Sequence, residues 1–356
     1  GLLWATLRAL WVRFDEPDGF PLEREDAPAL FEALDRIRQR IDGPAVHRIY
    51  LDGEFNASIR QLPRFGLFGG AVNHLSIGLP LLMALDRRRL LSVLAHEYGH
   101  LRGNHGKLSA WIYRTRMSWL KLDASFQRDE GVMAFASQAF FRWYFPRFAA
   151  KTFALARQDE YEADRVAARL LGTRVVAGAL TEIEVKSAWY AETFWPAHWS
   201  RAAAEPTPVG PFSAMATPLR APMAPDFARA ALRAALRGVS DVDDTHPVLR
   251  DRLEALDEKP GLPSWSEKSA LALLADAPRW IAHFDAEWRR DHANDWKQHH
   301  AYLARVGERV AALAASAGRN NADEMVEWAD CARRLDAAAD VRGHYERALQ
   351  LTENHP

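Results

Sequence analysis

The chain has 356 residues, 48% hydrophobic and 26% charged, with 46 basic against 47 acidic side chains and a formal net charge of −1. That length buries one or two sizeable cores, and so even a charge balance excludes nucleic acid as the main partner. A lone cysteine, Cys331, excludes both an intramolecular disulfide and a cysteine-rich zinc module.

The first twenty residues include GLLWATLRALWVRF, an amphipathic segment without the cleavage pattern of a signal peptide. It reads as the beginning of a truncated chain or the tail of an amphipathic element upstream. From Pro21 to Ile41 the apolar residues Leu30, Phe31, Leu34, Ile37 and Ile41 fall at helical spacing, and Asp42-Gly43-Pro44 stops the run. Three strands are expected next: Val46 to Leu51, Phe55 to Ile59, and His74 to Gly78, with a glycine loop at Gly66, Gly69 and Gly70. The β content is expected to be confined to about residues 45–80.

The remainder reads as helix. Leu79 to Leu85 is short and apolar. Asp86 caps a helix running to about Arg102, which Gly103-Asn104 ends. Further helices are expected over 107–122, 131–156 and Gln158 to Leu171, the last closed by Gly172. Residues 196–225 carry seven prolines and read as a long loop or lid. The helix-like runs that follow end in GHYERALQL, which has the look of a tetratricopeptide-style hairpin without a fixed-period repeat. The fold class is therefore mainly α with a small β-sheet.

No stretch reaches the ~18 uninterrupted apolar residues of a spanning helix. The 13 tryptophans, and clusters such as Phe140, Phe141, Trp143, Tyr144 and Phe145, have two readings. One is an aromatic helical core; the other is a membrane-interface belt, with Arg142, Arg147 and Lys151 among the rings of 131–156. Surface contact with a membrane would run through that helix and the N-terminal segment.

The decisive segment is His96-Glu97-Tyr98-Gly99-His100. On a helix, residues four apart share a face, so two imidazoles can bind one Zn²⁺. Glu97, one residue round, can serve as general base without being a ligand. The alternative is a surface helix with incidental histidines. Leu94, Ala95 and Leu101 argue against it, because they put the helix in the core, where buried polar groups need partners. A catalytic zinc takes three protein ligands and keeps one position open. The third candidate is Glu160, in Asp159-Glu160-Tyr161-Glu162-Ala163-Asp164. Glu160 and Asp164 share a face: one can bind the metal while the other receives an imidazole N–H from a ligand histidine. Glu162 points elsewhere. His105 falls after Gly103, off the helix, and His292, His299 and His300 read as solvated.

HEYGH followed by DEYEADRVAARLLG resembles the gluzincin zinc metallopeptidases that include the CaaX prenyl endopeptidases and the HtpX-like heat-shock proteases. The resemblance covers about residues 20–256. It implies Glu160 as third ligand and Asp164 as its buttress, one zinc per chain, and a peptide or protein substrate. Asn56, in Phe55-Asn56-Ala57, and His246, in Asp244-Thr245-His246-Pro247 with Arg252 following, resemble the family's Asn-Ala and His-Pro segments. They become candidate donors to the oxyanion; for His246 a turn histidine before proline is the alternative. The strand His74 to Gly78 would bind an extended peptide by β-augmentation. The chain departs from many members in carrying Val248 after Pro247, and in having no spanning segment where many are integral membrane proteins.

The chain is expected to divide into an amphipathic segment (1–20), a zincin-like core (21–195), the proline-rich loop or lid (196–225), a helical segment with the His-Pro motif completing the catalytic domain (226–260) and a helical C-terminal region of tetratricopeptide-like character (261–356). The resemblance implies membrane association; a cytoplasmic location is the alternative. The expected function is a zinc-dependent endopeptidase with Glu97 as base. The other reading is a latent chaperone-like or protein-binding module with a structural zinc. Oligomeric state is not legible.

Overall fold

The structure, a computed structural model, describes residues 17–63, 71–101, 132–240, 246–336 and 339–353, without the side chains of 63, 71, 132–142 and 145–152. Residues 1–16, the glycine loop at Gly66, Gly69 and Gly70, the expected helix 107–122, His105 and Asp244-Thr245 lie outside the described residues. So do most side chains of the aromatic helix.

Chain contacts divide the protein into two compact units, Gly1–Lys186 with Pro218–Ala277, and Ser187–Thr217 with Pro278–Pro356. In the first, β1 (Phe20–Leu22) precedes α1 (Pro28–Ile41). The helix does not begin at Pro21, as its sequence suggests. Pro28 disfavours helical geometry at Ala27 and is itself suited to a first helical turn. Leu30, Leu34, Ile37 and Ile41 form the buried face as spaced. The helix ends where Asp42 turns left-handed (φ 50°) and the Gly43 N–H reaches the Arg38 carbonyl at 3.1 Å.

β2 (Arg48–Asp52), β3 (Ala57–Pro63) and β4 (Ala71–Gly78) complete a four-stranded sheet of order β1-β2-β4-β3. β4 runs parallel to β2 and antiparallel to β3; β1 is antiparallel to β2. Two expectations change here. The sheet draws on residues 20–22 as well as 45–80. The strand His74–Gly78 is central, its backbone groups spent on both neighbours, so no peptide can add to it. The edge is β3.

α2 (Leu79–Ala84), wholly buried, leads to α3 (Arg87–Leu101). Asp86 caps α3, its Oδ1 accepting the Arg89 N–H at 3.0 Å. The helices expected over 131–156 and 158–171 are one 40-residue helix, α4 (Val132–Leu171). No proline or glycine lies between those segments to end the first. Gly172 closes α4 at φ 96°, its N–H 2.8 Å from the Ala168 carbonyl. α5 (Thr173–Trp189) follows and runs through a π-helical turn into α6 (Trp195–Ser200).

Residues 196–225 are not one continuous loop. They include most of α6, a 3₁₀ turn (Arg201–Ala203) and α7 (Pro211–Arg220). Three of the prolines open helices: Pro196 lies in the first turn of α6, Pro211 begins α7, and Pro225 begins α8 (Pro225–Arg237); Pro218 lies inside α7, in its last turn. First-turn N–H groups have no intrahelical partner to lose. His246-Pro247-Val248 then lead into α9 (Leu249–Ala255).

In the second unit, α10 (Ala277–Asp291), α11 (Ala293–Ala315), α12 (Ala322–Leu335) and α13 (Arg342–Glu353) follow in the chain. α12 packs on both α11 and α13. Trp280 and Trp296 are fully buried, and the Trp296 indole N–H donates to the Glu205 carbonyl at 2.8 Å. Part of the tryptophan content is therefore core. His292, His299 and His300 are half-buried rather than solvated. His292 stacks on Trp288, and His300 Nδ1 lies 2.6 Å from the Ala202 carbonyl oxygen. Among the described residues, no helix is long and apolar enough to cross a membrane.

Candidate metal centre

α3 and α4 pack against each other. A Cβ placed on Gly99 would stand 2.8 Å from the Ala163 Cα, so only glycine allows this approach. Gly99 lies between the two histidines and Ala163 between the two carboxylates. The close approach therefore brings the four polar side chains into one place. His96 and Glu160 are buried and His100 is partly so.

His96 Nε2 lies 3.1 Å from His100 Nε2 and 3.5 Å from Glu160 Oε2, and His100 Nε2 lies 3.3 Å from Glu160 Oε1. Ligands held at ~2.1 Å around a tetrahedral ion stand about 3.4 Å apart. The three residues therefore match the spacing and the donor chemistry of a zinc site, and among the described residues they form the one cluster of this kind.

Each donor is oriented from behind. His96 Nδ1 meets Asp164 Oδ1 at 2.9 Å, which leaves Nε2 turned to the cluster. Asp164 is 1% exposed and is gripped in turn by Arg252 from α9, with Nε on Oδ2 at 2.9 Å and Nη2 on Oδ1 at 2.7 Å. His246 Nδ1 stands 2.6 Å from Glu160 Oε2. Glu97 Oε2 accepts the backbone N–H of Ile59 at 3.1 Å. Ile59 sits opposite Leu75 in a non-hydrogen-bonded pair, so its N–H points away from β4, along the outer edge of β3.

The electrostatics follow from burial and pairing. Burial pushes the Glu97 carboxyl above its usual range. Burial also acts to raise Glu160, but hydrogen bonds from His246 and His96 outweigh it and hold that carboxyl far below the usual range. Asp164 is likewise depressed, with Arg252 and His96 overcoming burial. Burial would lower His96, yet Asp164 and Glu160 push it up to about 9. Burial and the neighbouring His96 lower His100 to about 3. Protons and a metal compete for the same Nε2 lone pairs, so affinity for the ion must weaken in acid.

Of the residues singled out in the sequence, His96, His100 and Glu160 converge, Asp164 lies behind His96, and Glu97 and His246 stand beside them. Asn56 lines the same cleft, of about 350 Å³. Its side-chain oxygen accepts the Ala57 N–H at 2.8 Å, which leaves its amide donors available. Sequence reasoning gave Arg252 no role and missed the Ile59 N–H. The signal for Arg252 was its place one turn into the helix behind His246; a backbone donor leaves no signal at all.

Two helices thus pool two imidazoles and a carboxylate beside a buried glutamate, the donor set of a zinc site. The chain belongs to Peptidase family M48, whose family model matches residues 67–259, more than half its length. The crystal structure of S. mikatae Ste24p is similar with a TM-score of 0.40 and 16% identity, over 72% of this chain and 57% of that one. This chain thus spans little more than half the length of that protein. No curated protein matches it in sequence.

Proposed function

We propose that the chain is an endopeptidase in which His96, His100 and Glu160 hold one zinc ion and Glu97 is the general base. The observation that carries this is the place of Glu97: buried, beside three converging donors, and anchored to the edge strand by the Ile59 N–H. When bound, zinc supplies Lewis acidity and lowers the pKa of water to near 7.

The chain's own groups do the rest. Glu97 takes a proton from water and delivers it to the leaving amine. Its carboxyl, raised by burial, is a stronger base than a solvated glutamate. The amide donors of Asn56, which meet no partner among the described residues, can serve the developing oxyanion. His246 orients Glu160 through Nδ1, and only as the imidazolium would it have an Nε2–H to offer the oxyanion. An extended peptide adds to the outer edge of β3, taking the Ile59 N–H from Glu97 as it binds.

Glu97 also separates this reading from a structural zinc in a binding module, which has no use for a base beside the ion. The test is cleavage of casein or a quenched peptide. Activity is expected to be lost to a chelator, restored by zinc, and abolished in Glu97→Gln with zinc content unchanged. Undiminished cleavage by Glu97→Gln would eliminate the assignment.

A further inference from the structure

Among the described residues that line the cleft beside the donor cluster, one charged side chain has no task. Glu97 is held by the Ile59 N–H, Asp164 by His96 and Arg252, and His246 by Glu160. Glu184, on α5, lines the same cleft and is solvent-exposed. Among the described residues, no hydrogen bond or ion pair reaches its carboxylate. Neighbouring atoms of the cleft desolvate its carboxyl and raise it, and the cations whose field opposes this, Arg252 and His246, are both committed to other carboxylates.

The wall around Glu184 narrows the choice of ligand. Val176, Leu180 and Glu184 succeed one another at four-residue steps, which is a single stripe of α5. Val176 and Leu180 are buried, and Ile183, Leu81 and Val93 add further apolar lining. An apolar track that ends at an exposed, unpaired carboxylate complements a side chain with a methylene stem and a cationic head. An acidic side chain would be repelled there, and a purely apolar one would desolvate the carboxylate without pairing it.

We propose that Glu184 is a specificity residue that selects peptides with lysine or arginine beside the scissile bond, its carboxylate taking the charged head while Val176 and Leu180 flank the stem. This rests on the endopeptidase reading above.

The test compares peptides that carry lysine or norleucine, in turn, at each position next to the cleaved bond. Norleucine keeps the stem and drops the ammonium. For zinc-loaded wild type, kcat/KM is expected to favour lysine at one position by about fivefold or more, the range of a partly exposed charge-assisted contact. In Glu184→Gln the ratio should approach one, and in Glu184→Arg glutamate should be preferred to lysine there. The wild-type ratio should also fall as salt is raised, a readout that needs no variant. An unchanged ratio in Glu184→Gln, or no lysine preference in wild type, overturns the proposal.

Should wild type cut none of the peptides, the endopeptidase reading fails separately. Fluorescence anisotropy of the same labelled peptides then decides for Glu184. Tighter lysine binding that Glu184→Gln abolishes supports it; equal binding of both peptides ends it.

Discussion

Replacing Asp164 by asparagine tests how the metal centre is built, because this one carboxylate serves two partners. Toward the ion it fixes His96, through the 2.9 Å contact to Nδ1, and adds basicity to the ring. Losing such a partner behind a ligand histidine costs about 10- to 100-fold in metal affinity, or about 1.4–2.7 kcal/mol. Toward the fold it neutralises Arg252, whose side chain is 12% exposed and makes two hydrogen bonds to Asp164. A buried guanidinium left without its carboxylate costs about 3 kcal/mol or more, which for a unit of this size lowers Tm by roughly 6–12 °C. Zinc affinity is read by competition with a fluorescent chelator, and stability by thermal melting of the metal-free protein. The double variant Asp164→Asn/Arg252→Gln removes the stranded charge, so it should recover much of the Tm while zinc affinity stays low. If Asp164→Asn binds zinc as wild type does, Asp164 does not orient His96. If the double variant melts no higher than the single one, Arg252 is not the stranded partner.

Gly99→Ala drives a methyl into the Ala163 backbone and should separate α3 from α4; zinc binding by competition is expected to fall by an order of magnitude or more with helix content retained on circular dichroism. Glu182, 1% exposed, pairs with both Arg89 and Lys186, so Glu182→Gln leaves two buried cations underpaired and is expected to cost about 3 kcal/mol in urea unfolding. His198 is 2% exposed and caged by Phe194, Trp195, Trp288 and Trp296; burial, aided by Arg201, lowers it from 6.5 to about 4. The folded chain therefore binds fewer protons than the unfolded chain in that interval. Stability from this group is full above pH 6.5 and declines by up to about 3 kcal/mol as pH falls toward 4. His198→Phe should flatten that part of the melting-versus-pH curve, and parallel curves for the two proteins would contradict the assignment.

The sequence by itself determined the helical class, the buried stripe of α1, the cap at Asp86 and the five-residue motif on α3. These are local properties. Hydrophobic period, turn chemistry and i, i+4 spacing act within one or two helical turns and can be read along the chain. Even there it mistook prolines that open helices for a loop, since one residue type both breaks a helix interior and begins a helix. Only the tertiary structure decided the rest. The approach of α3 to α4 at Gly99, the grip of Arg252 on Asp164, the edge position of β3 and the place of Glu184 in the cleft beside His246 all depend on residues far apart in the chain. Such contacts depend on how helices and strands pack, and no residue's near neighbours encode its partner across the fold.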